Sequence, residues 1–227
     1  MDRAASITVI GGANIDISAK YISPATAAGD SHQGQISTSA GGVARNIAEN
    51  LARLGSAVQL ITGLGDDGFS AYVRASLNLP LLDLLACYAP VNAPSDSYLS
   101  LYDMTGELVS AVNQMQLVNK LTPSYLQPFK TQITSSPLII ADCNLPPDTI
   151  YWLAGLPDRP KLFFDGVSMK KITRLQSCLD RIDGLKCNRL EAAALLNCSV
   201  RATPDQLVDD LHQRGVEIVL LSLGSEG

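Results

Sequence analysis

The 227-residue sequence predicts an α/β fold: a mostly parallel sheet covered by helices on both faces, with a small antiparallel sheet standing off it. Three observations predict this. Apolar, β-rich runs at residues 7–10, 58–62, 138–141, 161–164, 184–187 and 217–223 read as buried strands. Helical stretches separate most of them, which is the alternation that builds a parallel sheet. Two further β-rich runs, 97–102 and 107–112, flank Asp103-Met104-Thr105-Gly106. That pattern is an antiparallel hairpin and does not fit a β-α-β repeat.

The first strand closes on Gly11-Gly12. Residues 19–40 mix Ser, Thr, Gly, Ala and Pro with little periodicity and read as loop, with a short strand near 35–38. Residues 42–54 give the clearest helix. Val43, Ile47, Leu51 and Leu54 recur on one face of a 3.6-residue period, Arg45, Glu49 and Arg53 fall opposite, and Gly55 closes it. The strand at 58–62 enters the turn-rich Gly63-Leu64-Gly65-Asp66-Asp67-Gly68, and a helix over 69–77 follows. Beyond Pro137, helices at 147–156, 169–178, 189–196 and 204–215 alternate with strands. The last strand is followed only by Gly224-Ser225-Glu226-Gly227, where a covering helix is expected. The sheet around 219–223 is therefore expected to be uncovered and to favour association.

Composition excludes several classes. With 46% hydrophobic and 17% charged residues the chain can bury a core. No apolar run is long enough for a membrane span. The formal charge, 17 − 22 = −5, with dispersed Lys and Arg, argues against nucleic acid as a partner. The five cysteines are odd in number and lack a CxxC pair, so they read as buried thiols of a reducing compartment. Residues 1–6 do not read as a secretory signal, and a cytoplasmic location is expected. His32 and His212 sit in no nucleophile motif, which gives a hydrolase triad little support. No GxGxxG joins the first strand to a helix, which weakens a dinucleotide-binding reading.

In open α/β sheets the ligand crevice lies beyond the carboxyl ends of the strands. Asn14 and Asp16 follow the first strand, and residues two apart in extended chain point the same way. Both suit hydroxyl recognition, although on local grounds a loop Asx-turn is the better reading. Gly41-Gly42 lets backbone approach a ligand closely, with Asn46 one turn into the helix; ordinary helix-start glycine use is an equal alternative. Residues 222–227 could touch a phosphate or ribose. Asn188 and Glu191 share a helix face as a capping-box-like pair, which is compatible with a second role in holding Mg²⁺ through its waters.

The ordered motifs are Gly11-Gly12-Ala13-Asn14-Ile15-Asp16, Gly41-Gly42-Val43-Ala44-Arg45-Asn46-Ile47-Ala48, Gly63-Leu64-Gly65-Asp66-Asp67-Gly68, Lys186-Cys187-Asn188-Arg189-Leu190-Glu191-Ala192 and Leu221-Ser222-Leu223-Gly224-Ser225-Glu226-Gly227. Together they resemble the PfkB (ribokinase-like) family of carbohydrate and nucleoside kinases. Within it, residues 97–107, Ala141-Asp142-Cys143-Asn144 and Asn188-Arg189-Leu190-Glu191-Ala192 look most like pseudouridine kinases. The resemblance implies one ribokinase-like domain over residues 1–227, incomplete at its C-terminus, with lid strands inserted at about 14–20, 33–40 and 96–114. It implies that Asn14, Asp16, Gly41, Gly42, Asn46 and Asn144 bind substrate, with Tyr98, Ser100 and Asn113 contacting the base. Asn188, Ser222, Gly224 and Gly227 would bind nucleotide, and Glu191 and Asn188 would serve the metal.

ATP and Mg²⁺ are the implied cofactors, with a monovalent cation left open. The implied partners are a small nucleoside or sugar and a second subunit through the lid; neither nucleic acid nor membrane is expected. The implied reaction is ATP-dependent phosphorylation of the 5′-hydroxyl of pseudouridine. The alternatives are another PfkB-type sugar or nucleoside kinase, or a truncated, inactive nucleoside-binding product. The sequence departs from the family pattern at Cys187 and Gly166, where proline is usual. The family's Gly-Ala-Gly-Asp motif, which carries the general base and an anion hole, does not occur, and the base is expected beyond Gly227. A positioned base contributes about 10²–10⁴-fold in rate.

Overall fold

In the computed structural model, which describes residues 6–23 and 30–226, two sheets share one chain. The elements in order are β1 (Ile7–Ile10), β2 (Asn14–Tyr21), β3 (Gly34–Gly41), α1 (Val43–Arg53), β4 (Val58–Gly63), α2 (Gly68–Ser76), β5 (Leu82–Tyr88), β6 (Ser97–Tyr102) and β7 (Leu108–Gln114). Then come α3 (Pro123–Leu126), α4 (Lys130–Thr134), β8 (Leu138–Asp142), α5 (Pro147–Ala154), β9 (Lys161–Asp165), α6 (Met169–Ile172), β10 (Gly184–Asn188), α7 (Arg189–Leu196), α8 (Pro204–Gln213) and β11 (Ile218–Ser222).

The main sheet runs β11-β10-β9-β8-β1-β4-β5, with every pairing parallel. Its central strands are apolar runs because helices cover both faces; Val9, Ile10, Leu60, Ile61 and Ile139 are all fully buried. From β1 the chain winds outward through β4 and β5, then returns to place β8 on the other side of β1. That reversal opens a crevice at the carboxyl ends of β1 and β8.

The second sheet has the order β3-β2-β6-β7. It is mixed rather than antiparallel: β2 pairs antiparallel with β3, and β6 with β7, but β2 and β6 pair parallel. The reason is topological. Both β2 and β6 leave the main body in the same direction, and β3 and β7 bring the chain back. Asp96 pins the base of this sheet, its carboxylate accepting from the backbone N–H groups of Gln116 (2.7 Å), Leu117 (2.9 Å) and Val118 (3.2 Å).

Several local readings are corrected. Residues 19–21 and 34–41 are strand, paired in continuous register from Asn14↔Gly41 to Tyr21↔Gly34. Helix α1 packs through Ala44, Arg45, Ala48 and Ala52, while Leu54 is 82% exposed and Arg45, expected on the solvent side, is 6% exposed. Small alanines let the helix lie close on β1 and β4, which outweighs the larger apolar residues of the expected stripe. The helix expected over 169–178 is α6 alone, continued by a 3₁₀ turn. The edge strand β5 and the short helices α3 and α4 had no sequence signal strong enough to assign.

Candidate active site

Residue by residue, the crevice is built around Asp142, the last residue of β8. It is fully buried and accepts from the backbone N–H groups of Gly12 (3.0 Å), Ala44 (2.9 Å) and Asn144 (2.9 Å). Burial pushes its carboxyl above the usual range, against the pull of those three donors. A side chain at Gly11 would put its Cβ 2.5 Å from that carboxylate, so the glycine makes room for it. The N-cap of α1 is Gly42, which has no side chain to offer the helix's free N–H groups. Asp142 supplies that acceptor from a different strand, with the charge favoured at a helix N-terminus. Gly42 itself has φ of +100°, and a Cβ there would meet Gly12 O at 2.4 Å, so glycine is required on both counts.

Beyond this frame lies a cleft of about 420 Å³. Its walls bring together Asn14, Asp16, Gly42, Asn46, Tyr98, Asn113 and Asn144 from five separate segments. Asp16, Tyr98 and Asn113 lie at matching register on β2, β6 and β7, so they share one face of the lid. Asn14 Nδ2 donates to Asp16 Oδ1 at 2.6 Å. Gly41 does not line the cleft but backs it, since a Cβ there would lie 2.1 Å from Asp16 Oδ2. Ser100 shares the Tyr98 face of β6 but is buried and lies outside the lining.

Six lining residues were not anticipated: Val43, Met115, Val167, Ser168, Lys170 and Lys171. Lys171, half-buried on α6, donates from Nζ to Asn144 Oδ1 at 2.5 Å, and burial holds its pKa below the usual lysine value. Lys170 lies beside it. Val167 carries φ of +64°, a strained conformation for a β-branched residue, held by its N–H donating to Asp165 Oδ1 at 2.8 Å. Lysines in a short helix give no periodic signal, and the strained turn at Val167 has no sequence signature.

A second cleft of about 280 Å³ gathers Asn188, Ser222 and Gly224. Asn188 and Ser222 are partners on adjacent strands β10 and β11. Gly227 lies outside the described residues. Asn188 Oδ1 accepts from Glu191 N, and Glu191 Oε2 accepts from Asn188 N, both at 2.9 Å, so the pair forms a reciprocal cap on α7. Glu191 does not line this cleft. Among the described residues no group of three or more His, Cys, Asp or Glu is placed to hold a metal. One carboxylate and one amide fit a divalent ion only when water and phosphate supply its other ligands. Cys187, beneath, is pushed up to about 12 by burial and by the Glu191 charge. A larger cavity, about 630 Å³, is lined by Ser6, Val58 and Leu82 at the amino ends of strands, the wrong end for this architecture. No helix is long and apolar enough to cross a membrane among the described residues.

A parallel sheet with a strand-order reversal, a lid and two clefts at its carboxyl edge define a ribokinase-like α/β protein. Residues 4–227 match the pfkB family carbohydrate kinase model, and the chain belongs to that family. It is 34% identical to the pseudouridine kinase of Escherichia coli over 97% of its own length and 71% of that protein's. To the pseudouridine kinase of Arabidopsis thaliana it is 29% identical, covering 96% of this chain and 63% of that one. A carbohydrate kinase structure from Agrobacterium tumefaciens superposes with a TM-score of 0.81 at 28% identity, over 96% of this chain and 71% of the other. The Arabidopsis thaliana ribokinase, solved with ribose and ATP, shares the fold at a TM-score of 0.79 and 21% identity, over 99% of this chain and 74% of its own.

Proposed function

We propose that this chain serves ATP-dependent phosphorylation of a nucleoside at its ribose 5′-hydroxyl, with pseudouridine as the nucleoside. The observation that carries the reading is the convergence of Asn14, Asp16, Asn46, Tyr98 and Asn113 on one cleft between the lid and the sheet. An aspartate and amides suit vicinal hydroxyls, and an aromatic residue on the lid suits a flat base. Asn188, Ser222 and Gly224 are the proposed contacts to ATP. Mg²⁺, held through water near Glu191 and Asn188, would neutralise the phosphates when bound. The residues of this chain bind and orient the nucleoside, and the lid excludes water around it. A cytoplasmic setting is consistent with five free cysteines.

Pairing of two lids accompanies this reading. The lid face opposite the cleft carries Ile36, Leu99 and Val112, which are 74%, 45% and 65% exposed. An apolar face of this kind supports a homodimer.

The test is phosphoryl transfer from ATP and Mg²⁺ to a panel of nucleosides and sugars. Pseudouridine 5′-phosphate is the expected product. Turnover of ribose or fructose 6-phosphate with indifference to pseudouridine would reject the substrate. The second reading, for these 227 residues, is nucleoside binding without turnover. Calorimetric binding of pseudouridine without product formation would select it.

A further inference from the structure

Two of the carboxamides that line the nucleoside cleft, those of Asn14 and Asn46, lie on opposite sides of it, and each touches a charged side chain whose hydrogen-bonding sense cannot reverse. On the lid side Asn14 Nδ2 donates to Asp16 Oδ1 at 2.6 Å. On the core side Asn46 Oδ1 accepts from Arg45 Nη1 at 2.8 Å. A carboxylate only accepts and a guanidinium only donates. Flipping either amide would set oxygen against oxygen or N–H against N–H. Asn14 therefore keeps Oδ1 free as an acceptor, and Asn46 keeps Nδ2 free as a donor.

Arg45 does not line the cleft. It is 6% exposed, and its Nη1 also donates to Ala40 O at 3.1 Å while Nη2 pairs with Glu49 at 2.5 Å. Its Nε has no partner among the described residues, an orphan donor that packing alone would not favour. Burying a guanidinium with one donor unsatisfied costs stability, and the group it orients is the cleft amide.

We infer that Arg45 is a positioning residue that fixes Asn46 as a hydrogen-bond donor, giving the cleft an accepting lid side and a donating core side. This rests on the nucleoside reading above. A sugar diol fits that polarity, with one hydroxyl donating to Asp16 or Asn14 and its neighbour accepting from Asn46. The arrangement makes the intact diol, rather than either hydroxyl alone, the feature selected.

The test uses the native chain and Arg45→Met, which keeps side-chain length. Glu49 retains Arg53 as a partner at 2.7 Å, so the variant is expected to fold. Affinities for pseudouridine and its 2′-deoxy and 3′-deoxy analogues are measured by calorimetry. The variant should bind pseudouridine about tenfold more weakly, the scale of one lost fixed hydrogen bond. Its preference for pseudouridine over one deoxy analogue should shrink by a similar factor, because that hydroxyl has already lost its fixed partner. Equal weakening of all three ligands, or no change, overturns the inference while leaving the nucleoside reading intact. Failure of the native chain to bind any of the three overturns that reading and the inference with it. A second measurement needs no variant. Side-chain amide relaxation of Asn46 should report an ordered group, against a mobile Asn50, exposed one turn further along α1. Equal mobility of the two amides overturns the inference.

Discussion

At the scale of single residues, Asp142 shows how one carboxylate assembles a site that it does not itself line. Its three backbone donors come from the turn after β1, the start of α1 and the turn after β8: Asn144 lines the cleft, Ala44 follows the lining Val43, and Gly12 lies two residues before the lining Asn14. Asp142→Asn keeps the volume but turns an N–H₂ group toward one or more of those donors. The variant should be destabilised by about 2–3 kcal/mol, the scale of lost hydrogen bonds to a charged acceptor, as read by chemical denaturation. Unchanged stability would show that the carboxylate is not the joint described. Asn14, Asp16, Gly42 and Asn46 were legible because they fall in ordered glycine motifs. Asp142, Arg45 and Lys171 were not legible in their roles. Nothing local shows that a lone charge will be buried against partners 27 or 130 residues away, as with Lys171 to Asn144 and Asp142 to Gly12.

At the scale of elements, the lid hairpin turns on Asp103, whose Oδ1 accepts from Thr105 Oγ1 (2.6 Å), Thr105 N (2.8 Å) and Glu107 N (2.9 Å). The Thr105 hydroxyl bond and the Glu107 amide hold the carboxyl below its ordinary value. A depressed folded-state value means the contribution to order is complete above the unfolded carboxylate range, about 3.9, and is lost as pH falls through the lowered value. The amides of Thr105 and Glu107 should therefore exchange slowly near neutral pH and lose protection together in acid. Protection that is flat across that range would remove Asp103 from this role. The hairpin was legible because β-rich runs flank a glycine turn. Strands β2 and β3 were not, on local grounds, because β3 is rich in Ser, Thr and Gly and mostly exposed. Their strand character comes from pairing with each other and with β6. Helix α1 was legible as a helix but not in its buried face, because close packing of small residues decided the rotation.

At the scale of the whole molecule, the strand order places every strand-end residue of the clefts at one edge of the main sheet. The alternation of strands and helices made that sheet legible, since apolar strands buried on both faces leave a continuous signal. The outer lid face carries a prediction of its own. If two chains pair through it, Val112→Lys should convert a dimer to a monomer in sedimentation, since a charge in an apolar interface is strongly disfavoured. An unchanged mass would place the contact elsewhere. At the other edge, β11 leaves Ile218 and Leu220 exposed at 38% and 55%.

The central claim is that the lid and sheet close one cleft around a nucleoside, with Asp16 holding a sugar hydroxyl. Calorimetric titration of pseudouridine into the native chain and into Asp16→Ala tests it most directly. One-to-one binding that weakens about thirtyfold or more in the variant, with affinity for a non-hydrolysable ATP analogue unchanged, is the predicted result. Pseudouridine binding that is indifferent to Asp16, or absent from the native chain, would contradict it.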